Sequence, residues 1–317
     1  MDIAYLLFLQ DFRHTIHDAW TPFMGAMSLF SITYLVFIPV FIYWCVNKRK
    51  GLYTLVSFFL CTAVNAVLKL TVCAYRPWVR DPRIVPAGKA IFTAGGYSFP
   101  SGHTTAATPL YGGLAIGFWD RKSTKWLSIL CIIALLITGF SRNYLGVHTP
   151  QDVIVGLCLG IFTLWMVARA FKYLEAHPEQ ENRWLLIGFI GGVLALLYIH
   201  IKPYPLDYVN GKLLVNPHKM MKDAYQDIGA WLAFCGARYA ERRWVNFTEL
   251  GLNLKGICWT IVGFIPMYLI LNYVRKPLIH SFGTHWGRLV YSIIFVFYII
   301  ALFPAFIKWI AKPKPNA

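Results

Sequence analysis

Three short polar clusters interrupt an otherwise apolar stretch between Lys69 and Asp152. The first runs from Lys69 to Arg76-Pro77, the second is Pro100-Ser101-Gly102-His103, and the third is Ser141-Arg142 followed by His148 and Asp152. Together they hold three fixed cations (Lys69, Arg76, Arg142), two imidazoles, a hydroxyl and one carboxylate. That inventory suits a phosphate group, whose oxygens take several charge-assisted donors and match the planar fork of arginine. Ser101-Gly102-His103 opens an apolar run, so backbone N–H groups at a helix start would add to an anion site. Ser101 brings a further hydroxyl donor, and His103 is placed to protonate a leaving alkoxide. His148 and Asp152 stand four apart, which brings their side chains together over one helical turn. A carboxylate on one imidazole nitrogen fixes the tautomer and leaves the other nitrogen free to attack.

Each cluster also has a purely structural explanation. Lys69 and Arg76 could end a membrane span by reaching toward lipid headgroups. Pro100–His103 could be an ordinary loop-to-helix start, and Thr149-Pro150-Gln151-Asp152 has the proline and first-turn acid of a capped helix. The capped turn and a catalytic pair are compatible. It is the joint order of the three clusters that favours a common pocket.

The elements that must position them are membrane helices. Of the 317 residues, 57% are hydrophobic and only 14% are charged, against about 25% charged in soluble domains. Mean hydropathy is +0.53. Several apolar runs approach the ~20 residues needed to cross a bilayer. The net charge of +16 is spread over short loops with no basic stripe, so it reads as loop anchoring at anionic lipid and not as nucleic-acid binding. None of the seven cysteines forms a Cys-x-x-Cys pair; they read as buried free thiols without zinc or redox chemistry.

Residues 1–20 lack the basic start of a signal peptide and read as an interfacial amphipathic helix with Leu6, Leu7, Leu9, Phe12 and Ile16 on the membrane side. Spans are expected over residues 24–46, 52–73, 104–118, 127–140, 153–170, 184–201, 225–239, 257–274 and 289–307, the seventh having the shortest apolar core. Basic clusters at Asn47-Lys48-Arg49-Lys50, Asp120-Arg121-Lys122, Glu241-Arg242-Arg243 and the tail from Lys308 to Ala317 fall inside by the positive-inside rule. Both loops carrying the polar clusters, 76–102 and 141–151, then lie on the non-cytoplasmic face. Trp44, Trp119, Trp126, Trp184, Trp244 and Trp309 near span ends fit interfacial belts. The fold class expected is all-α: a polytopic transmembrane bundle with a six-helix core, residues 1–201, and an extension of about three spans, residues 202–317.

The order Lys69-x6-Arg76-Pro77, Pro100-Ser101-Gly102-His103, Ser141-Arg142-x5-His148-x3-Asp152 resembles the type-2 phosphatidic acid phosphatase superfamily in all three of its signature motifs. The likeness is close over residues 69–152 and extends by layout to about residue 201; the nine-span count also looks like glucose-6-phosphatases and some lipid phosphate phosphatases. The resemblance implies a metal-independent, cofactor-free phosphatase. In it His148 is the nucleophile and forms a phosphohistidine, Asp152 orients it, and His103 protonates the leaving oxygen and then activates water. Lys69, Arg76, Ser101, Gly102 and Arg142 would hold the phosphate oxygens. With one carboxylate among the matched positions, a two-metal clamp has too few ligands.

The substrate implied is a phosphatidate-like lipid phosphate met at the outer face of the plasma or inner membrane, with membrane lipids as the other partners. Undecaprenyl diphosphate hydrolysis, a non-catalytic lipid-phosphate binder or transporter, and a haloperoxidase are the alternatives; the last group is soluble. The sequence names neither the lipid nor the oligomeric state.

Overall fold

The computed structural model describes residues 1–94, 96–209 and 211–311. The helices are, in chain order, α1 (Asp2–Thr15), α2 (Thr21–Thr33), α3 (Phe37–Phe41), α4 (Lys48–Val72), α5 (Pro77–Arg80), α6 (Ala90–Thr93), α7 (Gly102–Trp119), α8 (Lys125–Tyr144), α9 (Pro150–Ala176), α10 (Glu181–Ile201), α11 (Pro217–Ala240), α12 (Leu254–Leu269), α13 (Arg275–Phe297) and α14 (Phe303–Ala311). Two two-residue strands, β1 (Tyr208–Val209) and β2 (Lys212–Leu213), pair antiparallel in the loop before α11. The chain is thus an all-α polytopic bundle. The expected basic inner tail lies, from residue 312 onward, outside the described residues.

Among the described residues, six segments are long and apolar enough to cross a membrane: Thr21–Val46, Lys48–Arg80, Lys122–Tyr144, Pro150–Ala176, Pro178–Ile201 and Leu254–Ile310. The last merges the expected eighth and ninth spans, with a kink where Gly283 leaves helical geometry at φ 75°. The expected third and seventh spans are helical, as α7 and α11, but are not among the six. The reason is packing. A helix surrounded by other helices need not present apolar side chains to lipid, and small or hydroxylated residues let backbones approach closely. Along α7 the neighbours come that close: a Cβ at Gly113 would sit 2.6 Å from Thr54 Oγ1, and one at Gly160 of α9 would sit 2.3 Å from Thr108 Cβ. The α7 hydroxyls are satisfied internally, Thr105 donating to the Ser101 carbonyl and Thr108 to the Thr104 carbonyl.

The C-terminal helices pack on the N-terminal spans. One core cluster joins Tyr43, Trp44, Leu55 and Phe59 to Phe234, Val296, Ile299 and Phe303. Trp44 therefore does not belong to an interfacial belt: it is fully buried and its indole N–H donates to the Ile299 carbonyl at 2.8 Å. The other five tryptophans named above are exposed. Cys158 and Cys258 are likewise exposed, against the expectation of buried thiols. In α1 the buried face is Leu6, Leu9 and Arg13, while Phe12 is exposed. Arg13 donates to the Tyr144 and Val85 carbonyls and pairs with Asp18, so this helix is fastened to the loops around the second and third polar clusters.

Alternation of the bundle decides where those clusters meet. Lys69 lies in the last turn of α4, Ser101 caps α7, Arg142 lies in the last turn of α8, and Thr149 caps α9. All four are at one end of the bundle. The basic residues Lys48, Arg49 and Lys50 begin α4 at the other end, about 30 Å away at 1.5 Å per residue. There they are ion-paired with Glu241, Glu175 and Asp120, which ties the loops of that end together.

Candidate active site

The capped turn at the start of α9 builds the centre of the site. Thr149 Oγ1 accepts from the Asp152 N–H, and Asp152 Oδ2 accepts from the Thr149 N–H at 2.8 Å, a reciprocal capping box. This fixes the Asp152 carboxylate beside the preceding residue. His148 Nδ1 lies 3.3 Å from the same Oδ2. Arg76 Nη1 stands 2.8 Å from His148 Nε2; a guanidinium can only donate, so Nε2 carries the lone pair and Nδ1 the proton that faces Asp152. His148 is 1% exposed. Burial, and then the charges of Arg76, Lys69 and Arg142, hold its basicity well below the usual histidine range.

The remaining motif residues gather round this pair. Arg76 Nε donates to the Gly96 carbonyl and Nη1 to the Val147 carbonyl. Lys69 Nζ donates to the carbonyls of Tyr97, Ser98 and Pro100, the last at 2.7 Å, tying the end of α4 to the loop that enters α7. Ser101 Oγ accepts from the Thr104 N–H and hydroxyl, which leaves its own proton to donate. Its N–H donates to the Asp152 carbonyl at 2.9 Å, joining the starts of α7 and α9. Lys69, Arg76, Gly102, His103 and His148 border one cavity of about 140 Å³. A Cβ on Gly102 would meet nothing nearer than Asn65 Nδ2 at 3.7 Å, so the protein does not itself demand glycine there.

Arg142 stands slightly apart. It borders a neighbouring cavity of about 370 Å³ beside α2, and Thr93 lines both spaces. Its Nη1 donates to Ser28 Oγ at 2.6 Å, while Nε and Nη2 are buried without a hydrogen-bond partner. Unsatisfied buried donors on a cation are costly, and an anion would satisfy them. His103 is 8% exposed, borders the first cavity and has no hydrogen-bond partner among the described residues.

Residues outside the three motifs complete the site. Ser98 Oγ donates to Asp152 Oδ2 at 2.5 Å, the shortest of the three contacts on that oxygen. A serine in a loop carries no distinguishing signal in the sequence. Asn65 borders the cavity and accepts from Thr105; a buried amide four residues before Lys69 was a legible cue, since i and i+4 share a helix face. Met220, Asp223 and Asp227 of α11 line the cavity from the opposite wall. The loop cations Arg80 and Arg83 are paired with Asp2 and Asp81.

Residues 50–176 match the PAP2 superfamily. That segment runs from the start of α4 to the end of α9 and contains every motif residue. Undecaprenyl-diphosphatase of Sulfolobus acidocaldarius is 33% identical over 129 residues, 39% of this chain and 58% of that protein. Lipid phosphate phosphatase delta of Arabidopsis thaliana is 24% identical over 201 residues, 59% of this chain and 47% of the relative. Phosphatidylglycerophosphatase B of Bacillus subtilis is 29% identical over 149 residues, 45% of this chain and 68% of the relative. The chain thus spans about half the length of the first two relatives. No solved structure matches it with comparable significance. The PAP2 segment ends before α10, and α10 to α14 lie outside it.

Proposed function

We propose that this chain is an integral membrane phosphatase that hydrolyses a lipid phosphomonoester through a phosphohistidine, without a metal. The observation that carries the reading is the His148 pair: Nδ1 directed at Asp152 and Nε2 at the edge of a cavity lined by Lys69, Arg76 and His103. Nε2 attacks phosphorus; the P–O ester bond breaks as the P–N bond forms, and His103 gives a proton to the departing oxygen. Water then attacks phosphorus, His103 takes its proton, and the P–N bond breaks to release inorganic phosphate. Asp152 balances the positive imidazole while the phosphoryl group is attached. Arg76, which caps Nε2, turns to the phosphate oxygens when they arrive, joined by Lys69, Arg142, the Gly102 N–H and the Ser101 hydroxyl. Metal independence rests on the donor set: among the described residues no three His, Cys, Asp or Glu side chains are placed to share a metal ion.

The non-cytoplasmic placement of the site is inferred from the basic cluster Lys48-Arg49-Lys50 at the far end of α4. Hydrolysis of a polyprenyl diphosphate is the second reading, favoured by the likeness to an archaeal undecaprenyl-diphosphatase. The test is phosphate release by the purified chain from phosphatidate, lysophosphatidate, a sphingoid-base phosphate and undecaprenyl diphosphate, with EDTA present. Turnover of one or more is expected. His148→Ala should abolish it while lipid phosphate binding persists. A folded protein that releases phosphate from none of the four refutes the reading and leaves a binder.

A further inference from the structure

A cavity of about 580 Å³ lies at the end of the bundle opposite the catalytic pocket. Its walls are α4 and α9 of the PAP2 segment and α10 and α11 beyond it. On α4, Lys48, Leu52, Val56 and Leu60 recur four apart, and on α9 Met166, Ala170 and Leu174 do the same, so each helix turns one face to the space. From Lys48 to Leu60 is about 18 Å at 1.5 Å per residue, a little more than half of the ~30 Å hydrocarbon thickness of a bilayer. One seam is closed: Trp231 Nε1 donates to the Gly188 carbonyl at 2.8 Å, joining α10 to α11. Another is open, because Met166, Trp184 and Ile187 line the cavity and are also exposed on the outside of the bundle. The result is an apolar slot about one leaflet deep, open sideways to the bilayer and charged at its mouth. An apolar space of this kind is poorly hydrated, and an acyl chain lying along the helices supplies the dispersion contacts its walls lack.

The charges at the mouth select the headgroup. Lys48, Arg49 and Arg238 line it together with Glu175, Glu181 and Glu249. Glu241, which pairs with Lys48 and Arg238, and Arg242, which pairs with Glu181, add one charge of each sign. The rim is therefore neutral as a whole, with its two signs set apart, which matches a zwitterion better than a net anion or cation. Its groups are not equally engaged. Arg49 is paired with Glu175 and Arg238 with Glu181, whereas Glu249 has no hydrogen bond or ion pair among the described residues. Arg49 and Glu175 are both more than half exposed; such a pair contributes little, so a lipid phosphate can share the guanidinium. We propose that this cavity is a second lipid site, which takes one acyl chain of a zwitterionic phospholipid with a primary ammonium headgroup, phosphate at Arg49 and ammonium at Glu249. Such a lipid is a phosphodiester and serves here as a structural ligand, packing the PAP2 helices α4 and α9 against α10 and α11. The site does not depend on the chain being a phosphatase.

Native mass spectrometry of the full chain tests this, with the protein released from micelles supplemented with phosphatidylethanolamine, phosphatidylcholine or phosphatidylglycerol of identical chains. Ala170→Phe places a ring in the slot, and Val56→Phe, from the facing helix, serves if the first variant does not fold. Wild type is expected to retain one more phosphatidylethanolamine than the ring variant. It should hold that lipid about three- to fivefold more tightly than phosphatidylglycerol, the contribution of one partly exposed ion pair. It should also prefer it to phosphatidylcholine, whose nitrogen has no N–H to donate. Glu249→Gln should remove both preferences without lowering the number of lipids bound at saturation. The headgroup comparison needs no ring variant. Equal lipid counts in wild type and a folded ring variant, equal affinity for the three headgroups, or a preference that survives Glu249→Gln would each overturn the proposal.

Discussion

Replacing Ser98 by alanine isolates the contact that the motifs do not announce. Asp152 Oδ2 receives three contacts: Ser98 Oγ at 2.5 Å, the Thr149 N–H at 2.8 Å and His148 Nδ1 at 3.3 Å. A hydrogen bond to a charged group contributes about 1.5–3 kcal/mol. Alanine removes the shortest of the three and leaves the carboxylate held by the capping box and the His148 contact. If roughly half of that energy acts on the imidazole as it becomes positive, the barrier rises by about 0.8–1.5 kcal/mol, a loss of about four- to tenfold in kcat. Ser98 is not a motif cation and does not border the cavity, so KM should stay within about twofold, the pattern of an interaction that strengthens in the transition state. The assay is phosphate release at saturating and limiting lipid, paired with a thermal melt in the same detergent. Ser98 Oγ also lies 3.4 Å from His148 Nδ1, so the route through the carboxylate needs its own test. On an Asp152→Asn background, Ser98→Ala should change kcat by less than about threefold, because coupled residues are not additive. Unchanged kcat with a lowered melting temperature would reduce Ser98 to a structural role. Full additivity with Asp152→Asn would refute the argument outright.

Two further outcomes follow from buried charge. The lowered basicity of His148 keeps it neutral as pH falls through about 6.5, the ordinary histidine value, so kcat/KM should show no inflection there from the nucleophile. The unfolded chain does take up that proton, so stability is full above about pH 6.5 and is lost progressively as pH falls below it. Melts between pH 7.5 and 5 should show a steeper decline for wild type than for His148→Asn, and equal slopes would contradict the assignment. Arg142→Met removes a cation with two buried unsatisfied nitrogens. It should melt no lower than wild type while kcat falls about 10²- to 10³-fold, the cost of losing one anion-stabilising donor group; a lower melting temperature with retained activity would show that the arginine is structural.

Much of this protein is determined locally. Apolar runs of bilayer length, ended by basic clusters, mark most of the helices. Ser101 and Thr149 cap α7 and α9 as the sequence pattern implies, because caps depend on residues three positions apart. The same locality makes His148 and Asp152 legible as a pair. The ends of α4, α7, α8 and α9 share one face because antiparallel helices with short connections alternate. What only the tertiary structure decided depends on which helix stands beside which. Segments α7 and α11 are less apolar than their neighbours because protein and not lipid surrounds them, and composition cannot reveal that without the packing. Trp44 looks like an interfacial residue until α13 and its continuation cover it. Ser98 becomes a partner of Asp152 across 54 residues of sequence. Asp227, in the expected span with the shortest apolar core, takes its place on the cavity wall because α11 packs against α4 and α13. Spacing along a helix carries the first kind of information; close approach between helices, set by small residues such as Gly113, Gly160 and Gly229, carries the second.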